Sequence, residues 1–416
     1  MLIRRTTRAE VVVAQPLWAG VDAGKTDHYC MVIGADGKPV VSRRVANDEA
    51  TLLELINAVQ ALADGGEITW AIDLNAGGAA LLITLLMAAE QRLLYIPGRS
   101  VHHAAGSYRG EGKTDAKDAA VIADQARMRR DLQPLRVGDD IAVELRILTS
   151  RRSDLVADRT RAINRLRARL LEYFPALERA FDYSTSKAAL ILLTGYQTPD
   201  GLRRAGTARL AAWLRKRKAR NADAIAATAI EAANAQHTIV AGQQLAATMV
   251  ARLAEEVMAL DTEIGDTDAM IEERFRRHRH AEIILSMPGF GVTLGAEFIA
   301  ATGGDMSVFP SVDRLAGVSG LAPVPRDSGR ITGNLKRPRR YDRRLLRACY
   351  LSALVSNRTD PASRTYYDRK RVEGKRHTQA VLALTRRRLN VLWAMLRDHT
   401  TYQPTTPNAA AALQLH

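Results

Sequence analysis

Between Trp18 and Val45 the chain reads as strand, turn, strand, turn, strand, and no other stretch constrains its fold as strongly. Leu17-Trp18-Ala19-Gly20-Val21-Asp22 is a short apolar run that ends on an acid, and Tyr29-Cys30-Met31-Val32-Ile33 is a second run after Ala23-Gly24-Lys25. Ala35-Asp36-Gly37-Lys38 carries the Asp-Gly hairpin signature, which predicts an antiparallel third strand from Pro39 to Val45. Helical spacing follows over 47–62 (Leu52, Leu55, Ile56, Val59), then a strand, Ile68-Thr69-Trp70-Ala71-Ile72, that again runs into an acid, Asp73. A helix over Ala79–Ala89, a short strand from Arg92 to Pro97 and a helix over Thr114–Arg130 complete an α/β pattern.

From Ile141 the period changes. An Arg-rich helix to Phe174 carries Leu145, Leu148, Leu155, Ile163, Leu166 and Leu170 as an imperfect seam. A second long helix has a cleaner heptad in Ala246, Val250, Leu253, Val257, Leu260, Ile264, Thr267 and Ile271. Two such helices form an antiparallel arm within one chain or pair with another subunit, and the pattern allows either. The intervening residues 184–235 read as helical and basic, notably Arg215 to Arg220, a possible extra nucleic-acid contact. From Glu282 the chain is compact again, and the Pro/Thr/Ala-rich residues after Tyr402 are expected to be a disordered tail.

At 416 residues the chain exceeds what one core normally serves. The expected organisation is an extension (1–16), an α/β domain (17–138), a helical linker region (139–280), a mainly helical C-terminal domain (281–400) and a tail (401–416). Cys30 and Cys349 make neither a disulfide framework nor a zinc spacing, and no apolar run is long enough to span a bilayer, so a cytoplasmic protein is expected. The formal charge is +15, and Leu321–Arg397 alone holds 20 Lys and Arg against 5 Asp and Glu. A surplus clustered in the last quarter points to a polyanion, with nucleic acid the best-supported partner class.

Asp115 and Asp118, three apart on a helix in Lys113-Thr114-Asp115-Ala116-Lys117-Asp118, share a face and repel unless a cation lies between them. With Asp22 and Asp73 on strand ends they make four carboxylates, an oxygen-only set suited to Mg²⁺ or Mn²⁺ and to phosphoryl transfer. Each acid alone is ordinary: a helix-face charge, a turn cap, a loop residue. Ser328, in the loop Leu321–Arg330, is flanked by Arg326, Arg330, Lys336, Arg337, Arg339 and Arg340, a setting for a phosphodiester beside a hydroxyl. Pro288-Gly289-Phe290-Gly291 between two helical stretches resembles a helix-hairpin-helix turn, whose glycines let backbone N–H groups reach a phosphate; a plain helix-terminating turn is the alternative. His102, His103, His278 and His280 lie beside no Cys pair and read as solvated, and Ala23-Gly24-Lys25 is too little for a phosphate loop.

The strand order is that of ribonuclease-H-like folds, in which the first and fourth strands are neighbours. Gly20-Val21-Asp22, the Asp115/Asp118 motif, Pro288-Gly289-Phe290-Gly291, Gly320-Leu321-Ala322-Pro323 and Ser328-Gly329 together resemble the DEDD-type insertion-sequence transposases of the IS one-ten family, over nearly the whole chain. The resemblance implies an RNase H-like (RuvC-like) N-terminal domain, a coiled-coil linker and a C-terminal transposase domain. It places the metal-binding acids on Asp22, Asp115 and Asp118, with Asp73 where the family usually has Glu, and the nucleophile on Ser328. It also implies Mg²⁺-dependent cleavage and strand exchange through a covalent protein–DNA intermediate. A structured bridge RNA would guide donor and target DNA, and the protein would work as a homodimer or homotetramer, with acids and serine contributed by different subunits. The rival readings are a RuvC-type Holliday-junction nuclease, with Ser328 incidental, and a non-catalytic nucleic-acid binder. An actin-like ATPase shares the strand order but lacks convincing phosphate loops.

Overall fold

The computed structural model describes residues 15–404 except 109–111, 113, 133, 136–138, 331 and 337, so Lys113, Arg337 and the tail beyond 404 lie outside the described residues. The chain forms two compact units divided between Val137 and Gly138.

The N-terminal unit contains β1 (Leu17–Ala23), β2 (Asp27–Ile33), β3 (Pro39–Ala46), α1 (Glu49–Ala63), β4 (Ile68–Ile72), α2 (Ala80–Ala88), β5 (Arg92–Tyr95), α3 (Gly98–Ala105) and α4 (Asp115–Met128). The sheet order is β3-β2-β1-β4-β5, with β1/β2 and β2/β3 antiparallel and β1/β4 and β4/β5 parallel. The expected adjacency of the first and fourth strands is therefore present. Strand alternation divides the sheet residues between two layers. Leu17, Ala19, Val21, Cys30, Val32, Trp70 and Ile72 pack with Leu52, Leu55, Ile56 and Val59 of α1 and Leu82 and Leu86 of α2. On the opposite face, Ala71 and Leu94 meet Val101 of α3 and Val121, Ile122 and Ala126 of α4, while Met31 and Ile33 meet Ala119 and Ala123.

The second unit is mostly helical: α5 (Asp140–Tyr173), α6 (Pro175–Ala180), α7 (Lys187–Gly195), α8 (Pro199–Lys216), α9 (Ala222–Asn234), α10 (Gln243–Arg276), α11 (Ala281–Ser286), α12 (Val292–Thr302), α13 (Val312–Val318), the two-stranded ribbon β6 (Val324–Pro325) and β7 (Leu335–Lys336), then α14 (Arg343–Thr359), α15 (Pro361–Val372) and α16 (His377–Asp398). The 34-residue helices α5 and α10 lie antiparallel in one chain, fixed by Arg151–Glu263 (2.5 Å), Arg152–Asp268 (2.5 Å), Arg159–Asp261 and Arg274–Glu144 (3.1 Å). Of the two arrangements the sequence allowed, the α5/α10 contacts described are those of the arm within one chain. The buried stripe of α10 is also not the predicted heptad throughout. Ala247 and Ala254 are buried where Ala246 and Leu253 were expected, and Leu260 and Ile264 are only half-buried. The stripe turns because the first half of α10 must serve α7 as well as α5, in a core built from Leu166, Leu170, Leu192, Leu214 and Val250. The other halves of α5 and α10 join a second core with α11–α14 and α16, around Leu145, Ile271, Phe275, Phe298 and Leu392.

His278 and His280 are buried, not solvated as their sequence context suggested. His278 Nε2 lies 3.2 Å from Asp139 Oδ2, and the His280 ring stacks on His399 at a 5.8 Å centroid distance. The predicted loop at Leu321–Arg330 is the first limb of a hairpin, since Val324 and Pro325 pair with Lys336 and Leu335.

Candidate active site

In the parallel pair β1/β4 Val21 is in register with Ile72, so Asp22 and Asp73 are carried side by side at the carboxyl ends of the two strands. By alternation both belong to the face covered by α3 and α4. Crevices at the carboxyl ends of parallel strands are where open α/β sheets bind ligands. Helix α4 starts at Thr114, whose side chain accepts a hydrogen bond from the Lys117 backbone N–H at 3.2 Å, so its first turn presents Asp115 and Asp118. The helix lies against β1 because Gly20 has no side chain: a Cβ there would sit 2.3 Å from both the Ala119 carbonyl oxygen and the Ala123 nitrogen.

Asp22, Asp73 and Asp118 line one cleft of about 630 Å³, together with His102, Tyr108 and Lys117. Asp73 accepts a hydrogen bond from the Ala23 N–H at 3.2 Å. Burial pushes its carboxyl above the ordinary carboxylate range, the Ala23 donor pulls it down, and the nearby charge of Asp118 pushes it up again. Asp115 does not join them. Its carboxylate pairs with Arg44 of β3 at 2.6 Å, on the exposed side of the helix start. The pattern that put Asp115 and Asp118 on one face missed this competing cation, which only sheet pairing brings near.

Among the described residues no three His, Cys, Asp or Glu side chains stand close enough to hold a metal ion as they are placed. The chemistry of the donor set fits one: three carboxylates face a single cleft, and burial together with the like charge of Asp118 disfavours a charged Asp73, which a divalent cation would relieve. His102 and Tyr108 were not expected at the site. The sequence signal was weak, since α3 is only eight residues long with Val101 as its one fully buried residue, and Tyr108 lies beyond its end.

The remaining candidates lie in the second unit. Ser328 is exposed near the tip of the β6–β7 hairpin, which is closed by Arg326 N–H donating to the Asn334 carbonyl (2.9 Å) and Asn334 N–H donating to Asp327 Oδ1 (2.9 Å). Arg326, Arg330, Lys336, Arg339 and Arg340 are exposed around it. Gly289 and Gly291 have different reasons for being glycine. Gly289 has φ +83°, and a Cβ would come 2.3 Å from the Ser352 carbonyl oxygen, so it serves close packing of the turn on α14. The adjacent Pro288 carbonyl accepts from the buried Arg388 guanidinium. Gly291 is exposed, with open space where its side chain would be, at the start of α12. Among the described residues no helix is long and apolar enough to cross a membrane.

Comparison with known proteins finds transposase relatives. A DEDD-type transposase model matches residues 19–175, and a model described as transposase of the IS116/IS110/IS902 family matches residues 281–368. The insertion element IS900 uncharacterized 42 kDa protein of Mycobacterium paratuberculosis is 83% identical over 96% of this chain and 100% of its own length. The insertion element IS116 uncharacterized 44.8 kDa protein of Streptomyces clavuligerus is 51% identical over 94% of this chain and 97% of its own. The mini-circle putative transposase for IS117 of Streptomyces coelicolor is 27% identical over 90% of this chain and 92% of its own.

Proposed function

The chain belongs to the IS116/IS110/IS902 family of transposases, and from that premise we propose that it is a serine-dependent DNA recombinase assisted by a metal-binding acidic cleft. The observation that carries the reading is the convergence of Asp22, Asp73 and Asp118 on one cleft at the ends of β1 and β4. On this reading residues 17–138 are a RuvC-like domain, 139–280 a coiled-coil linker region and 281–400 the transposase domain. The sheet order and the antiparallel α5/α10 pair support the first two assignments.

Ser328 Oγ attacks a DNA phosphodiester. An Oγ–P bond forms as a bond from phosphorus to a deoxyribose oxygen breaks; the serine proton passes to base or solvent and the departing deoxyribose oxygen takes up a proton from solvent, leaving a free DNA hydroxyl. Arg326, Arg330, Lys336, Arg337, Arg339 and Arg340 hold the phosphates on either side, and Gly291 leaves room for a backbone to approach α12. Asp22, Asp73 and Asp118 would hold Mg²⁺ or Mn²⁺, joined by Asp115 once its Arg44 pair opens. Such an ion supplies neutralisation of charge on the scissile phosphate. Donor and target DNA are the substrates, a structured bridge RNA encoded by the element is the guide, and the working form is a homodimer or homotetramer in the cytoplasm.

The test is a denaturing assay for protein covalently linked to labelled DNA. Ser328→Ala should abolish the linked species, and Asp118→Asn should reduce it strongly. Undiminished cleavage in Ser328→Ala would return the protein to a water-using nuclease. Sequencing the nucleic acid that copurifies with the protein tests the guide: a discrete element-derived RNA supports it, random cellular fragments oppose it.

A further inference from the structure

The turn between α8 and α9 holds a basic cluster that lies outside both stretches matched by the family models, which cover residues 19–175 and 281–368. From Leu202 to Arg220 there are eight Lys and Arg and no Asp or Glu. Five of them, Arg215, Lys216, Arg217, Lys218 and Arg220, fall within six residues, and all five are exposed. Arg215 is paired with Asp223. Among the described residues no carboxylate pairs with Lys216, Lys218 or Arg220.

Two features distinguish this cluster from a merely solvated surface. The first is a fixed platform. Trp213 packs its ring edge on Gly195, where a Cβ would meet Cζ2 at 2.3 Å, and lies edge-to-face with Tyr196 at 5.2 Å. Arg217 lies over that ring at 3.7 Å, so its guanidinium is held out in one orientation. The second is backbone strain. Lys218 sits at φ +57°, a left-handed conformation that is unfavourable for a non-glycine residue and that glycine or asparagine fills more readily. Attraction to the carboxyl end of α8 accounts for cations in its last turn, Arg215 and Lys216. It does not account for Lys218 and Arg220, which lie beyond that turn. There the start of α9, which has no side-chain cap, adds its own positive end.

We infer that this α8–α9 turn is a separate docking site for a nucleic-acid phosphate backbone, held by Lys216, Arg217, Lys218 and Arg220. The shared chemistry is a run of phosphodiesters, whether from DNA or from RNA. The inference rests on reading the chain as a protein that handles DNA, but not on the serine chemistry or the acidic cleft.

The test is a salt titration of binding by the full-length protein to a 30-base-pair DNA duplex and to an RNA duplex of the same sequence. In Lys216→Gln/Lys218→Gln/Arg220→Gln the plot of log affinity against log salt should become shallower by about two to three on at least one duplex. Affinity at low salt should drop about tenfold or more. Lys218→Gly guards against a folding artefact, because it relieves the strained turn: it should melt no lower than wild type yet bind more weakly. The duplex that loses affinity identifies the phosphate source. Unchanged affinity and slope on both duplexes would overturn the inference. Binding intact in Ser328→Ala but weakened in the triple variant would separate this site from the catalytic reading.

Discussion

Gly20 of β1 and Ala119 of α4 meet backbone to backbone, so that even a methyl group on Gly20 would lie 2.3 Å from the Ala119 carbonyl oxygen. This contact lets the helix lie low enough on the sheet for Asp118, one residue before Ala119, to face the same cleft as Asp22. Gly20→Ala therefore has to lift α4. It should lower the stability of the N-terminal unit by about 3 kcal/mol in urea unfolding and reduce DNA cleavage more than stability explains. Wild-type cleavage from a folded Gly20→Ala protein would mean that the placement of Asp118 does not matter.

Asp73 offers a test that needs no DNA. Its folded pKa is raised, so its contribution favours folding at low pH and is lost as pH rises through the folded value. The charged form of Asp73 is disfavoured by burial, a cost that a bound cation would offset. Mg²⁺ or Mn²⁺ at about 100 times its dissociation constant should stabilise the protein by about 2.7 kcal/mol, seen as a higher melting temperature than in EDTA. Asp73→Asn should melt higher than wild type in EDTA and respond little to the ion. An equal response in both proteins would remove Asp73 from the site.

The glycines of the turn before α12 should separate by phenotype. Gly289→Ala forces a side chain into a left-handed backbone pressed on α14 and should cost about 3 kcal/mol of stability. Gly291→Ala meets open space and should fold normally, so any loss it shows in DNA binding reports a phosphate approach. Equal stability of the two variants would contradict the packing at Ser352.

The histidine cluster of the second unit predicts a pH dependence of folding. Burial, helped by His278, Arg279 and His399 and opposed by Asp139, lowers the His280 pKa to about 4. A depressed folded value means that stability is full above the unfolded pKa of about 6.5 and is lost progressively as pH falls toward the folded one. The urea midpoint should therefore fall from pH 7 to pH 4.5, and less steeply in His280→Gln. A parallel fall in the two proteins would show that carboxylates elsewhere set the slope.

The sequence carried the N-terminal unit almost element by element. Period-two runs, an Asp-Gly hairpin and amphipathic helices are local signals, and all five strands fall where they were read. Asp22, Asp73 and Asp118 were legible for the same reason: each sits at the end of an element whose boundary is itself a sequence signal. Tertiary structure alone decided the rest. Asp115 parted from Asp118 because β3 brings Arg44 beside it from 71 residues away. Gly289 faces a helix, and His278 and His280 are buried, because partners distant in the chain arrive there. The stripe on α10 is displaced because that helix serves α7 as well as α5. Periodicity specifies which face of an element is buried, whereas the identity of a neighbour depends on contacts that a one-dimensional pattern does not encode.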